Sequence, residues 1–293
     1  MVLYAVDEIV DNYTLLKINI EFCAQNYRSM ISIITPVYNG IAHIESCLKV
    51  VIDQQCDNVE HIIADGGSKD GTAEILAQYA ERYAHIRYIS EQDKGQSDAM
   101  NKGLKMAKGD IVGILNVDDY YEPGVLQRIE KKFESLPKLS FVVGNCNVRN
   151  SEGDLVYINK PKKLKLTQLL KGWRINPHPV NPIAYFYHKA LHDEIGPYNV
   201  DEHYAMDLEF IYRVVQVANL HYVDEIWGNY IQLPESKTQT DKARGESSDR
   251  AEAVRIKFRQ QLSPLRRIIY YMEHHYAWFM YRLSRRLQRL FDS

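Results

Sequence analysis

Apolar runs and polar, glycine-bearing loops alternate along the first half of the chain. The runs cover residues 31–34, 59–64, 85–90 and 111–115, each short enough for a strand buried on both faces. Between them lie apolar residues at helical spacing, such as Ile44, Cys47, Leu48 and Val51. Helices are predicted over 72–83, with Thr72 as N-cap, and over 97–107, ended by Gly109-Asp110. This alternation predicts an α/β fold with a mostly parallel central sheet flanked by helices. The loops after the runs all carry Asp, Asn, Gly or Ser, and open sheets of this kind bind ligands at the carboxyl ends of their strands.

The second half is less regular. A helix is predicted over 123–136, with Pro123 in its first turn, then a strand over 139–143 and a polar hairpin around 150–154. Residues 160–182 are basic and proline-rich, which keeps them extended or turned. A strand over 183–187, a helix over 189–194 and a helix opening at Ala205-Met206-Asp207 and running to 217 follow. Residues 1–29 have a loose apolar pattern and read as an extension of unclear role. The working domain is expected over 30–234, with halves 30–121 and 122–234. Beyond it, 235–293 reads as a mobile polar segment and a basic, amphipathic helical tail.

Composition mainly excludes. A formal net charge of -2 gives no global signal for nucleic acid, so no nucleic-acid partner is expected. Cys23, Cys47, Cys56 and Cys146 lack metal-type spacing and read as reduced thiols of a cytoplasmic protein. Asp7, Glu8 and Asp11 argue against a signal peptide, and no apolar run approaches the ~18 residues of a membrane span. The candidate chemistry lies in Asp118-Asp119, where the 111–115 run ends. Adjacent carboxylates repel unless a cation, a proton or a hydrogen-bonding ligand is present, and hard oxygen ligands suit Mg²⁺ or Mn²⁺ bound with a phosphate. An Asp-rich turn is the plainer reading of the pair alone.

Four segments change that balance together. Ile31-Ser32-Ile33-Ile34-Thr35-Pro36-Val37-Tyr38-Asn39-Gly40 resembles the opening strand and loop of family 2 glycosyltransferases, which have the GT-A fold. Residues 64–72, 93–103 and Asn116-Val117-Asp118-Asp119 resemble the loops that follow, the last being the family's metal-binding element. The resemblance spans about 31 to 230. It implies metal-dependent, inverting transfer from a nucleotide-sugar donor to a glycan acceptor. The implied setting is surface polysaccharide or lipopolysaccharide assembly, with a lipid-linked acceptor at the inner face of the cytoplasmic membrane.

The donor side is expected to use Thr35, Pro36, Tyr38, Asp65, Asp93, Asp98 and Asp118. Tyr38 can stack on the base or pack the turn, and Asp65 can accept from the base or ribose or merely form its turn. The family often has a second aspartate where this chain has Gly66, which blurs base identity. Asp119 is expected to ligate the metal directly, while Asp118 is shared between ribose and metal. Asp207 matches the family's acceptor-activating base, a carboxylate on a later helix. His178, with Trp173 and Arg174, is placed as a sugar or acceptor contact, or as structure. Residues 255–290 suit either an anionic membrane face or a helix packed on the domain with a solvated basic side. A sugar-phosphate nucleotidyltransferase should open with a GxGTR-type loop, which Thr35-Pro36-Val37-Tyr38 is not. A non-catalytic scaffold is disfavoured by intact Asp118, Asp119 and Asp207.

Overall fold

The computed structural model describes residues 29–234, 236, 239–240 and 247–291, with side chains to 288 except that of Ser247. Residues 1–28 of the expected 1–29 extension, most of the polar segment and the side chains of Arg289 and Leu290 lie outside the described residues. Nine described strands form one sheet. The first part alternates β1 (Ile31–Val37), α1 (Ile44–Ile52), β2 (Val59–Asp65), α2 (Thr72–Arg82), β3 (Ile86–Ser90), α3 (Gln96–Met106) and β4 (Ile111–Ile114). There follow β5 (Tyr120–Tyr121), α4 (Val125–Phe133), β6 (Ser140–Arg149), β7 (Leu155–Asn159), α5 (Leu166–Leu169), β8 (Tyr185–His188) and α6 (Leu191–Ile195). The chain continues through α7 (Met206–Val214), β9 (Asn219–Ile231), α8 (Ser247–Gln260) and α9 (Pro264–Phe291).

The strand order is β3-β2-β1-β4-β8-β6-β9-β5, with β7 beside β6. The four strands from β3 to β4 are parallel, as the alternation predicts. From β8 onward the sheet is mixed: β8 runs antiparallel to β4 and β6, and β9 runs parallel to β6. Every residue of β1 is buried. Ile31 and Ile33 enter a core under α1 and α4, while Ile34 enters the opposite core with Met100 of α3 and Phe210 of α7. Residues past 234 share that second core through Val254 and Phe258 of α8.

β1 also runs further than its composition suggests. Thr35-Pro36-Val37 reads as turn but continues the strand, pairing with Ile63-Ala64-Asp65 of β2. On the other side β4 pairs only as far as Ile34, whose carbonyl accepts from Leu115 N–H at 3.0 Å. Even-numbered residues of β1 therefore face β4, and Pro36, which has no N–H to offer, sits just past its end. The register of β6 against β9 shifts at Gly144, where an added Cβ would lie 2.4 Å from Trp227 Cδ2. That close approach requires glycine.

Candidate active site

The site starts from two loops fastened to each other. After β1, Asn39 takes a left-handed conformation (φ 51°) that the Asn side chain tolerates. Its N–H donates to Ser68 Oγ at 2.7 Å, and its Oδ1 accepts from Lys69 N–H at 3.0 Å. Gly40 N–H donates to Thr72 Oγ1 and Ile41 N–H to Asp70 Oδ2. Thr72 is thus a buried tie between loops inside the first turn of α2, not its N-cap; Gly71 holds that position. The tied loops turn Tyr38 outward, 64 % exposed, with its ring face available to a flat ligand.

Beside Tyr38 lies a cleft of about 680 Å³. Pro36 of β1 and Tyr38 just after it line the cleft, with Asp93 and Gly95 from the loop before α3, Gln96 from the start of α3, and Asn116 and Asp118 from the loop after β4. Asn181, His203, Tyr204 and Asp207 close it from the second half of the chain. Asp93 Oδ1 accepts from Gly95 N–H at 2.7 Å, and Gln96 Nε2 donates to Asn116 Oδ1 at 3.2 Å. These bonds fix the third and fourth loops as one wall.

Asp118 and Asp119 have different environments. Asp118 lines the cleft, whereas Asp119 is 2 % exposed behind it. Asp119 Oδ2 accepts from Asn116 Nδ2 (3.0 Å) and Asn181 Nδ2 (2.8 Å), and its Oδ1 accepts from Ile231 N–H (3.0 Å). Burial first, and the Asp118 charge second, push the Asp119 carboxyl well above the usual range. Among the described residues no group of three or more His, Cys, Asp or Glu is placed to hold a metal. A hard cation arriving with its own diphosphate and waters needs only one or two carboxylates. Asp118, with Asp119 behind it, fits that requirement.

Asp207 enters in the first turn of α7, where the helix dipole favours a carboxylate. Glu202 Oε1 accepts from the N–H groups of Tyr204 and Ala205 and holds the entry to that helix. Beneath lies a buried aromatic layer of Tyr185, Tyr187, Tyr198 and Phe210. Burial pushes the Tyr185 phenol well above its ordinary range, and the Asp207 charge adds to it. Glu209 turns the other way and pairs with Arg213 at 2.8 Å.

Residues 32–195 match the model of the family described as glycosyl transferase family 2. The chain belongs to that family. An uncharacterized glycosyltransferase of Rickettsia conorii is 27% identical over 214 residues, covering 68% of this chain and 33% of the relative. A chondroitin synthase of Escherichia coli is 29% identical over 127 residues, covering 43% of this chain and 18% of the relative. The chain spans about a third of the length of the curated relatives it matches first. A mannosyltransferase from Pyrobaculum calidifontis, solved with GDP-Man and Mn²⁺, superposes with a TM-score of 0.59 at 18% identity. That match covers 79% of this chain and 65% of the other, a likeness in fold.

Within this family 2 chain, Pro36, Tyr38, Asp93, Asp118 and Asp207 come together at the cleft. Other expected residues do not line it. Thr35 is fully buried, its Oγ1 2.9 Å from His61 Nε2, because its side chain points into the core under α1. Asp65 is 2 % exposed, and its carboxylate accepts from Ser68 N–H, Ser68 Oγ and Ser90 Oγ. Asp98 accepts from Lys94 N–H at 3.1 Å at the start of α3. Asp119, expected as the direct ligand, is 2 % exposed and accepts hydrogen bonds at both carboxylate oxygens. His178 stacks edge-on to Trp173 at 5.1 Å, and burial, then the Arg255 charge, push its pKa down to about 4. Trp173 and Arg174 are exposed, but neither lines the cleft. Sequence reasoning missed His203, Tyr204 and Asn181. Asn181 had a usable signal: it precedes Pro182, and its Oδ1 caps the turn that Pro182 opens by accepting from Ile183 N–H.

Proposed function

We propose that the chain transfers a sugar from a nucleoside diphosphate sugar to a hydroxyl of a glycan acceptor. The observation that carries this is the convergence of Asp118 and Asp207, 89 positions apart in sequence, on one cleft beside the exposed Tyr38. In this reading Tyr38 stacks on the base, and Asp93 and Gln96 approach the ribose and diphosphate. Asp118, backed by Asp119, would hold Mn²⁺ or Mg²⁺, which supplies a Lewis acid for the diphosphate charge. Asp207 takes the proton of the acceptor hydroxyl as that oxygen bonds to the anomeric carbon. The bond to the diphosphate oxygen breaks on the opposite face, so one displacement inverts the anomeric centre.

The proposed acceptor is a growing, lipid-linked glycan of a cell-surface polysaccharide, worked on at the inner face of the cytoplasmic membrane. Family membership and a polysaccharide synthase among the relatives support that setting. The test is a thermal-shift panel of nucleoside diphosphates and their sugars with and without Mn²⁺. A ligand held only by the folded state raises its stability, by about 2.7 kcal/mol at a hundredfold excess over Kd. A Mn²⁺-dependent rise for one base, lost in Asp118→Asn, is expected. The reading is refuted if no nucleotide shifts the transition.

A further inference from the structure

We infer that one face of α9 lies on an anionic lipid surface. Among residues 255–290, expected as a whole to face a membrane or pack on the domain, α8 and α9 divide the two roles. α8 packs inward: Val254 and Phe258 are buried, while Arg255 and Arg259 pair with Glu252 and Lys257 with Glu209. The start of α9 is docked too. Tyr270 is 1 % exposed and donates to the Leu170 carbonyl at 2.9 Å, and Glu273 pairs with Lys171 at 2.8 Å.

Opposite that docked side runs an exposed apolar stripe. Leu265, Ile268, Met272, Tyr276, Phe279 and Leu283 follow one another at spacings of three and four, and Leu287 continues it. At 1.5 Å per residue the stripe is about 33 Å long. With 100° per residue, exposed Arg266, Arg282 and Arg286 fall within about 100° of its centre. Residues 264–291 hold Arg266, Arg267, Arg282, Arg285, Arg286 and Arg289 against the single acid Glu273.

That charge decides the occupant. A second copy of the helix would bring two strongly cationic surfaces together, whereas lipid phosphates neutralise them while acyl chains cover the stripe. Arginine stems reach from the flank of a buried stripe to the headgroups. No described helix is long and apolar enough to cross a membrane, so α9 lies in the interface. The inference stands apart from the transfer chemistry, because attachment is read without turnover.

The test is co-sedimentation of the full chain with vesicles of phosphatidylglycerol and phosphatidylcholine, against phosphatidylcholine alone. Binding to the anionic vesicles only is expected. Arg282→Gln with Arg286→Gln should weaken it about twenty-five-fold, at roughly a factor of five per arginine. Met272→Glu with Phe279→Glu should abolish it at unchanged helix content. Failure of the wild-type chain to bind, or equal binding by these variants, overturns the inference. So does a dimer in light scattering that Met272→Glu with Phe279→Glu dissolves, since the stripe is then covered by a second copy. Nucleotide-dependent thermal shifts should persist in these variants, which separates this failure from failure of the proposed transferase reading.

Discussion

Gly66→Ala should damage the cleft from outside it. An added Cβ would sit 2.6 Å from Asp93 Oδ2, where ordinary contact begins near 3.4 Å, so the carboxylate must retreat about 0.8 Å. The Asp93 side chain is free to rotate, but doing so breaks its 2.7 Å bond from Gly95 N–H. A hydrogen bond to a charged acceptor is worth about 1.5–3 kcal/mol, and Asp93 is only half-buried, so the lower end applies. A loss of about 1.5 kcal/mol corresponds to roughly 3–6 °C in Tm for a domain of this size. Donor affinity should fall about tenfold, because the displaced carboxylate belongs to the cleft wall. Urea unfolding and titration calorimetry with the nucleoside diphosphate measure the two effects. A double-mutant cycle makes the reasoning sharp: with Asp93→Ala already in place, Gly66→Ala has nothing to strike and should cost almost nothing. If Gly66→Ala loses the same stability in both backgrounds, the contact with Asp93 is not the cause and the argument fails.

Asp207→Asn should lower kcat by about 10²–10⁴ while leaving donor affinity unchanged; retained turnover would remove Asp207 as the base. Burial, then the nearby His85, push buried His61 down to about 3, so the unfolded chain takes up a proton near pH 6.5 that the folded chain refuses. Its contribution is complete above pH 6.5 and is lost as pH falls toward 3. His61→Gln should therefore flatten the fall in urea midpoint between pH 7 and pH 5, and parallel curves would refute the assignment. The raised Asp119 carboxyl works in the opposite sense, so the variant comparison, not the raw profile, carries the test. Gly144→Ala should destabilise by about 1–3 kcal/mol or more, because its Cβ meets the Trp227 indole at its fused bond and a packed core yields little; a wild-type urea midpoint would contradict the packing.

The first half of the fold was legible because its signals are local. Strands buried on both faces are apolar throughout, and the turn residues follow them directly. β9 was not legible: His221, Asp224, Glu225 and Asn229 interrupt it, and it is a strand because β6 lies beside it. The site divided in the same way. That the polar loops converge follows from topology, but which carboxylate of each loop faces the cleft is set from far along the chain. Asp119 is turned inward by Asn181 and Ile231, 62 and 112 positions away. Asp65 is occupied by Ser90, 25 positions away. Thr35 looks inward on the face of β1 that it shares with Ile31 and Ile33, and there it meets His61, 26 positions away.

The early end of β4 makes the cleft a notch in the sheet itself. β1 continues for three residues with no described strand paired on that side, and an ordinary residue in place of Pro36 would present an N–H there as an invitation to pair. Pro36 withdraws the invitation. A drift in sequence that lengthened β4 would find no donor at that position to zip against. The opening is thus guarded by a missing hydrogen atom.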